Sequence, residues 1–350
     1  MTSDAGTPAS TIHSLIYRVS DASPQEIERL KTEIAEVRAS LFKLSCGERI
    51  FAETRLRRLE TRLRDAHMPS FVLNGDSPLC AAKLLVLDEV SMVGREMAQD
   101  LLSFGKPLLV LGDPGQLPPI KGEGAFTDGP PDIMLTEIHR QARESAIIRL
   151  ATLARLGEPI PHGSYDGYVA KLRWNDLTPA QLLKGGQVVC GRNSTRLRLN
   201  ISMKQTAGFT APYPIGRGEK IICLKNRHDL GIVNGMFLEL ASIRDEDNLC
   251  FSAEMRTEDG RDISGRQRFY KGHFDDHVRY DKDRAIRDWR DMKSLIETVW
   301  GYAITCHKAQ GSQWENVIVC DDHLFHNEAD QRRWLYTAIT RAEKGLVILD

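Results

Sequence analysis

The sequence predicts an α/β protein with a helical hairpin and a small β-rich segment set into it. Three observations lead there. From Lys83 to Pro119, KLLVLDEVSMVGREMAQDLLSFGKPLLVLGDPGQLPP, two short apolar runs each end in a polar loop, with helical spacing between them. Between Ser23 and His67 the chain is highly charged and carries an apolar stripe spaced three and four apart. From Pro212 to about Tyr270, Gly216, Gly218, Gly231 and Gly235 punctuate short apolar segments, the texture of a small barrel or sandwich.

Taken in order, Ser10 or Thr11 is placed to cap a helix through Ile12, Leu15 and Ile16. The stripe Ile27, Leu30, Ile34, Val37, Leu41 and Leu44 makes the first arm of an antiparallel hairpin. Ser45-Cys46-Gly47 breaks it, and Leu56, Leu59 and Leu63 mark the second arm, which also bears Arg55, Arg57, Arg58, Arg62 and Arg64. Such a charge run reads first as a solvated face and second as a contact for a DNA backbone or a partner. Met68 to Pro78 reads as a connector.

Leu84 to Leu87 and Leu108 to Leu111 are strands, and Arg95 to Phe104 is the crossover helix that a parallel pair requires. Leu135 to Leu156 has helical periodicity and ends at Gly157 with Pro159 and Pro161. Residues 157 to 184 read as irregular. Gln187 to Cys190 is a strand, and Asn193 caps the helix after it. Residues 271 to 293 read as a loop or peripheral helix. Val299 to Ile304, Asn316 to Cys320 and Leu346 to Leu349 are strands, with a helix over Gln331 to Arg341.

Composition narrows the function classes. The chain has 350 residues, an apolar fraction of 41% and a formal net charge of -1, enough for two or three globular domains without a generally basic surface. Any nucleic-acid contact has to be a local groove. Seven cysteines, an odd number with no CxxC pair, fit reduced thiols and a cytoplasmic protein. No apolar run approaches the length of a membrane span, and the N-terminus shows no export signal, so no membrane partner is expected.

The chemistry concentrates at the two strand ends, where ligands bind in α/β sheets. Asp88 and Glu89 supply what triphosphate hydrolysis uses: one carboxylate for Mg²⁺ and a second to orient or deprotonate water. The Gly112-Asp113-Pro114-Gly115-Gln116 loop offers an amide that both donates and accepts. Arg140 and Arg341 are candidate guanidinium partners for the transferring phosphoryl group, although an isolated arginine more often serves the surface.

DEVSM, GDPGQLPP, HRQA, YAITCHKAQGSQWENVIV and LYTAITRA, in this order, resemble motifs II to VI of superfamily 1B DNA helicases of the RecD-like and Dda-like type. ASTIHSLIY at 9 to 17 resembles motif Ib, and IVNG at 232 to 235 resembles part of that family's inserted β domain. The resemblance implies two RecA-like P-loop NTPase-type domains, the first incomplete, with a small SH3-like β insertion and a helical hairpin. Its domains would be 1–22 with 68–184, then 185–205 with 294–350, and the insertions 23–67 and 206–293. It also implies ATP and Mg²⁺ as cofactors, single-stranded and double-stranded DNA as partners, and 5′-to-3′ unwinding in recombination, repair or replication.

Residue by residue, the resemblance makes Asp88 the Mg²⁺ ligand, Glu89 the water activator, Gln116 the γ-phosphate contact, and Arg140 and Arg341 the arginine fingers. Gln310 and Gly311 would link the nucleotide to the DNA track, and Thr11, His13, Thr305, His307 and Lys308 would contact single-stranded DNA. No GxxxxGK[ST] occurs among the 350 residues. The family carries that phosphate loop upstream of motif Ib, so the resemblance predicts it in a preceding segment or in a partner. Two functions follow: an ATP-driven helicase, or a relative that binds single-stranded DNA without hydrolysing ATP. A nuclease would need a separate carboxylate cluster, and none stands apart from these motifs.

Overall fold

A computed structural model describes residues 9–20, 23–43, 46–66, 70–119, 124–135, 145–210, 216–246, 250–258, 260–275 and 294–350. The chain divides into two units, one of residues 1–85, 99–108 and 281–294, the other of 86–98, 109–280 and 295–350.

In the first unit Thr11 caps helix α1 (Ile12–Ile16), its hydroxyl accepting the Ser14 amide at 3.3 Å. The chain then enters β1 (Tyr17–Ser20), which pairs antiparallel with β2 (Ser70–Leu73), Tyr17 opposite Leu73 and Ser20 opposite Ser70. Four of the eleven residues of the expected connector are therefore a strand. Between these paired strands stand α2 (Pro24–Ser40) and α3 (Cys46–Ala66). Ser23 caps α2 and Pro24 opens it, where a missing N–H costs nothing. Ile27, Leu30, Ile34 and Val37 are buried, and Leu59 of α3 packs with the last three. Arg38 and Glu60 bridge the arms at 2.7 Å. Arg55, Arg57, Arg58 and Arg62 are exposed, as the solvated-face reading has it. Phe42, Ile50 and Phe51 are exposed near the turn.

β3 (Leu85–Leu87) and β4 (Leu108–Val110) form a two-stranded sheet, with α4 (Arg95–Leu102) between them in sequence. The Leu85 amide bonds to Pro107 O and the Leu111 amide to Leu87 O. The bonds advance together along both strands, the pattern of a parallel pair.

In the second unit α5 (Ala146–Leu156) ends at Gly157, whose φ of 76° closes the helix. Residues 136–144, which carry Arg140 and the start of the expected helix, lie outside the described residues. The segment expected to be irregular contributes β5 (Gly163–Ser164), β6 (Val169–Leu172) and α6 (Pro179–Lys184). After β7 (Gln187–Cys190), Arg192 and not Asn193 is the cap residue of α7 (Asn193–Thr206). The β-rich segment supplies β8 (Lys220–Cys223), β9 (Phe237–Asp245), β10 (Cys250–Thr257) and β11 (Asp262–Tyr270), followed by the short α8 (Gly272–Asp275).

The expected strand Val299–Ile304 is two strands. β12 (Thr298–Trp300) pairs antiparallel with β8, and β13 (Ala303–Thr305) pairs parallel with β7. Gly301 makes the step: a Cβ there would lie 2.9 Å from a Phe237 ring carbon, and Gln187 Nε2 donates to the carbonyls of Gly301 and Tyr302. The chain ends through α9 (Cys306–Ala309), β14 (Trp314–Cys320), α10 (Glu328–Ile339) and β15 (Ala342–Leu349).

The strands sort into a six-stranded sheet, β13-β7-β14-β15-β6-β5, parallel except for β5, and a five-stranded antiparallel sheet, β11-β10-β9-β8-β12. Alternation buries both faces of the parallel sheet, as such sheets require. Val189, Val317, Val319, Leu346 and Ile348 join Leu150, Ala154 and Trp334 in one core. Val188, Cys190, Ile318, Cys320 and Leu349 join Leu199, Met203 and the antiparallel sheet's Ile221 and Cys223 in the other. Among the described residues no helix is long and apolar enough to cross a membrane.

Candidate nucleotide site

Buried Leu87 anchors the end of β3 and leaves Asp88 and Glu89 exposed. Glu89 has φ 54° and ψ 47°, the left-handed region that an L-residue rarely enters, so the backbone is strained at the second carboxylate. Asp88 Oδ1 accepts the Glu89 amide at 2.9 Å, which fixes the turn. Val90 and Ser91 are buried after it.

The loop after β4 packs onto this turn. A Cβ on Gly112 would lie 2.6 Å from Val90 Cγ2, so only glycine fits. Ser91 Oγ donates to Gln116 Oε1 at 3.5 Å, a long bond that joins the Asp88–Glu89 turn to the Gln116 loop. Asp113 shapes the loop from inside: its Oδ1 accepts the Gly115 amide at 2.8 Å and its backbone carbonyl accepts the Gln116 amide at 3.1 Å.

Helix α10 and the end of α9 hold the same loop from the other side. Tyr336 Oη donates to Asp113 Oδ2 at 2.5 Å, Arg155 lies 4.0 Å from Asp113 Oδ1, and the Arg155 guanidinium stands 5.7 Å from the Tyr336 ring centre. Burial, reinforced by the Asp113 carboxylate, pushes the Tyr336 hydroxyl up to about 12, so it remains a donor. The Leu117 amide donates to Thr337 Oγ1 at 2.9 Å, and Gln310 Nε2 donates to Leu117 O at 3.0 Å. Gly311, at φ 74°, turns the chain immediately after Gln310.

Arg341 is buried, at 4% exposure. Its Nε donates to Thr337 O at 3.0 Å, Nη1 to Ser312 O at 3.2 Å and Nη2 to Thr340 Oγ1 at 3.1 Å. The guanidinium thus stands on neutral acceptors.

Thr305 ends β13 and begins α9, which carries His307 and Lys308. Lys308 Nζ donates to Asn234 Oδ1, in the IVNG turn, and the Asn234 amide donates to Asn226 Oδ1 at 2.7 Å. Burial lowers the proton affinity of both His307 and Lys308. Thr11 and His13 belong to the other unit, where the His13 ring packs 5.5 Å from Tyr17 and 6.3 Å from Phe71.

Of the residues predicted from sequence, Asp88, Glu89, Gln116, Gln310, Gly311 and Arg341 therefore fall in one network of the second unit, linked through Ser91, Leu117 and Thr337. Arg140 lies outside the described residues. Sequence reasoning passed over Ser91, Tyr336 and Thr337, and named Asp113 as part of its loop without giving it a role. All four lie inside the quoted motifs, but their roles rest on hydrogen bonds to distant segments, which spacing does not reveal.

Residues 301–349 match the UvrD-like helicase C-terminal domain family, and residues 1–165 match the AAA domain family. The chain is 26% identical over 273 residues to the ATP-dependent RecD2 DNA helicase of Deinococcus radiodurans, covering 74% of this chain and 35% of that protein. It thus spans about a third of that relative's length. Similar solved structures include the Bacteroides Pif1 helicase in complex with ADP-AlF3 and ssDNA, at 18% identity over 77% of this chain and 71% of that one, TM-score 0.47. Another is the Candida albicans Pif1 helicase, at 17% identity over 89% of this chain and 78% of that one, TM-score 0.48.

Proposed function

We propose that the chain is a RecD-like helicase of superfamily 1B and takes part in ATP-dependent DNA unwinding, with hydrolysis coupled to 5′-to-3′ movement on single-stranded DNA. The observation that carries this reading is the network that joins the Asp88–Glu89 turn, the Gln116 loop, Gln310 and Arg341. Phosphoryl transfer needs little covalent help and depends on such positioning.

Asp88 would hold Mg²⁺, which would supply positive charge against the phosphate charge that develops during transfer. Among the described residues no cluster of three His, Cys, Asp or Glu side chains stands ready to hold a metal. One exposed carboxylate suits an ion that keeps waters and arrives with a nucleotide. Glu89 orients the attacking water, and Gln116 contacts the γ-phosphate. Arg341 reaches phosphate by exchanging three neutral acceptors for anionic oxygens, which form stronger bonds with a guanidinium. Thr305, His307 and Lys308 contact the DNA backbone in the second unit, and Thr11 and His13 contact single-stranded DNA in the first.

A second reading, single-stranded DNA binding without hydrolysis, rests on the sequence, which holds no GxxxxGK[ST]. ATP turnover by the 350-residue chain with oligo(dT) separates the two. Turnover that depends on DNA and is lost in Glu89→Gln supports the motor. Tight oligo(dT) binding without turnover favours the binder, and neither activity overturns both.

A further inference from the structure

Thr337 is a polar residue with no exposed surface, in the last turn of α10. A buried hydroxyl has to be satisfied. Its one proton goes back along the helix to Arg333 O at 2.7 Å, a common arrangement for a helical threonine. This leaves the oxygen free to accept, and it accepts the Leu117 amide at 2.9 Å. Leu117 adjoins Gln116 and is followed by Pro118 and Pro119, which have no amide proton of their own.

The carbonyl of the same residue accepts Arg341 Nε at 3.0 Å. One side chain and its own backbone thus touch the neighbour of the amide and the guanidinium that the proposed function places at the γ-phosphate. Tyr336 adds a second tie at Asp113, and a Cβ on Gly115 would lie 3.2 Å from its ring. That close fit leaves the loop little room to shift without the helix.

We propose that Thr337 is a positioning residue that couples Gln116 to Arg341, so that the two groups move together as the nucleotide changes state. The proposal rests on the nucleotide reading of this site. Thr337→Val keeps the shape and removes the acceptor, whereas Thr337→Ser keeps the acceptor.

ATP turnover with oligo(dT) is measured for the wild type, both Thr337 variants, Gln116→Ala and the double variant Thr337→Val/Gln116→Ala. Thr337→Val is expected to lower kcat about tenfold, the worth of one hydrogen bond, with KM for ATP changed less than about twofold. Thr337→Ser restores the rate, and on the Gln116→Ala background Thr337→Val costs less than about twofold, because coupled residues are not additive. Losses that multiply in the double variant, or a serine variant as impaired as valine at an unchanged Tm, overturn the coupling. If the wild type binds a fluorescent ATP analogue without turnover, the same cycle is read on analogue affinity with the same criteria. If it neither binds nor hydrolyses nucleotide, the functional reading fails and the coupling with it.

Discussion

The role proposed for Glu89 sets activity against stability at a single position. Its left-handed backbone is costly for a side-chain-bearing residue and free for glycine. Glu89→Gly is expected to raise the unfolding free energy by about 1 kcal/mol while abolishing turnover. Glu89→Gln, which keeps the strain, is expected to abolish turnover at unchanged stability. Denaturant midpoints of the two variants check this, and a glycine variant less stable than the wild type removes the strain argument. Arg341 is the complementary case, since its charge is buried on carbonyls and an alcohol. Lysine offers no matching fork, so Arg341→Lys should lose stability as well as rate.

Elements differ in how far the sequence revealed them. The hairpin and the two strand-end loops were legible because their apolar spacing is local and their chemistry stands at the break in the pattern. The step at Gly301 was not, because Val299 to Ile304 reads as one apolar run and only the crowding by Phe237 shows where it changes sheets. Nor was the hold of α10 on the Gln116 loop, since Leu117 and Thr337 are 220 residues apart. β6 was hidden by its short length and mixed pattern.

Packing within elements gives two expectations. Leu30→Ala in α2 should cost roughly 2–5 kcal/mol locally and raise amide exchange across the helical hairpin, while α10 and the parallel sheet keep their protection. Just before β12, burial would raise the Glu297 carboxyl, but His273 at 2.6 Å and Lys225 outweigh it and hold it at about 2, below its ordinary 4.5. The stability this contributes is complete above that ordinary value and is lost as pH falls towards 2. Glu297→Gln should therefore lower stability near neutrality and flatten its fall between about pH 5 and pH 2, read from urea midpoints across that range.

Over the whole molecule the formal net charge is -1, so bulk charge does not draw this chain to DNA. Affinity for single strands has to come from a few placed groups, with Lys308 the cation among the proposed contacts of the second unit. For a single strand each neutralised phosphate contributes about −0.7 to the slope of log K against log salt. Oligo(dT) binding by the wild type should therefore show a shallow slope, and Lys308→Ala should flatten it by about 0.7 with equal effect on every sequence tested. A weaker affinity with an unchanged slope would mean that Lys308 acts through Asn234 and the β-rich sheet instead of at a phosphate. Asn234→Ala distinguishes these further, since it frees the ammonium without removing it: a phosphate-contacting lysine keeps the wild-type slope.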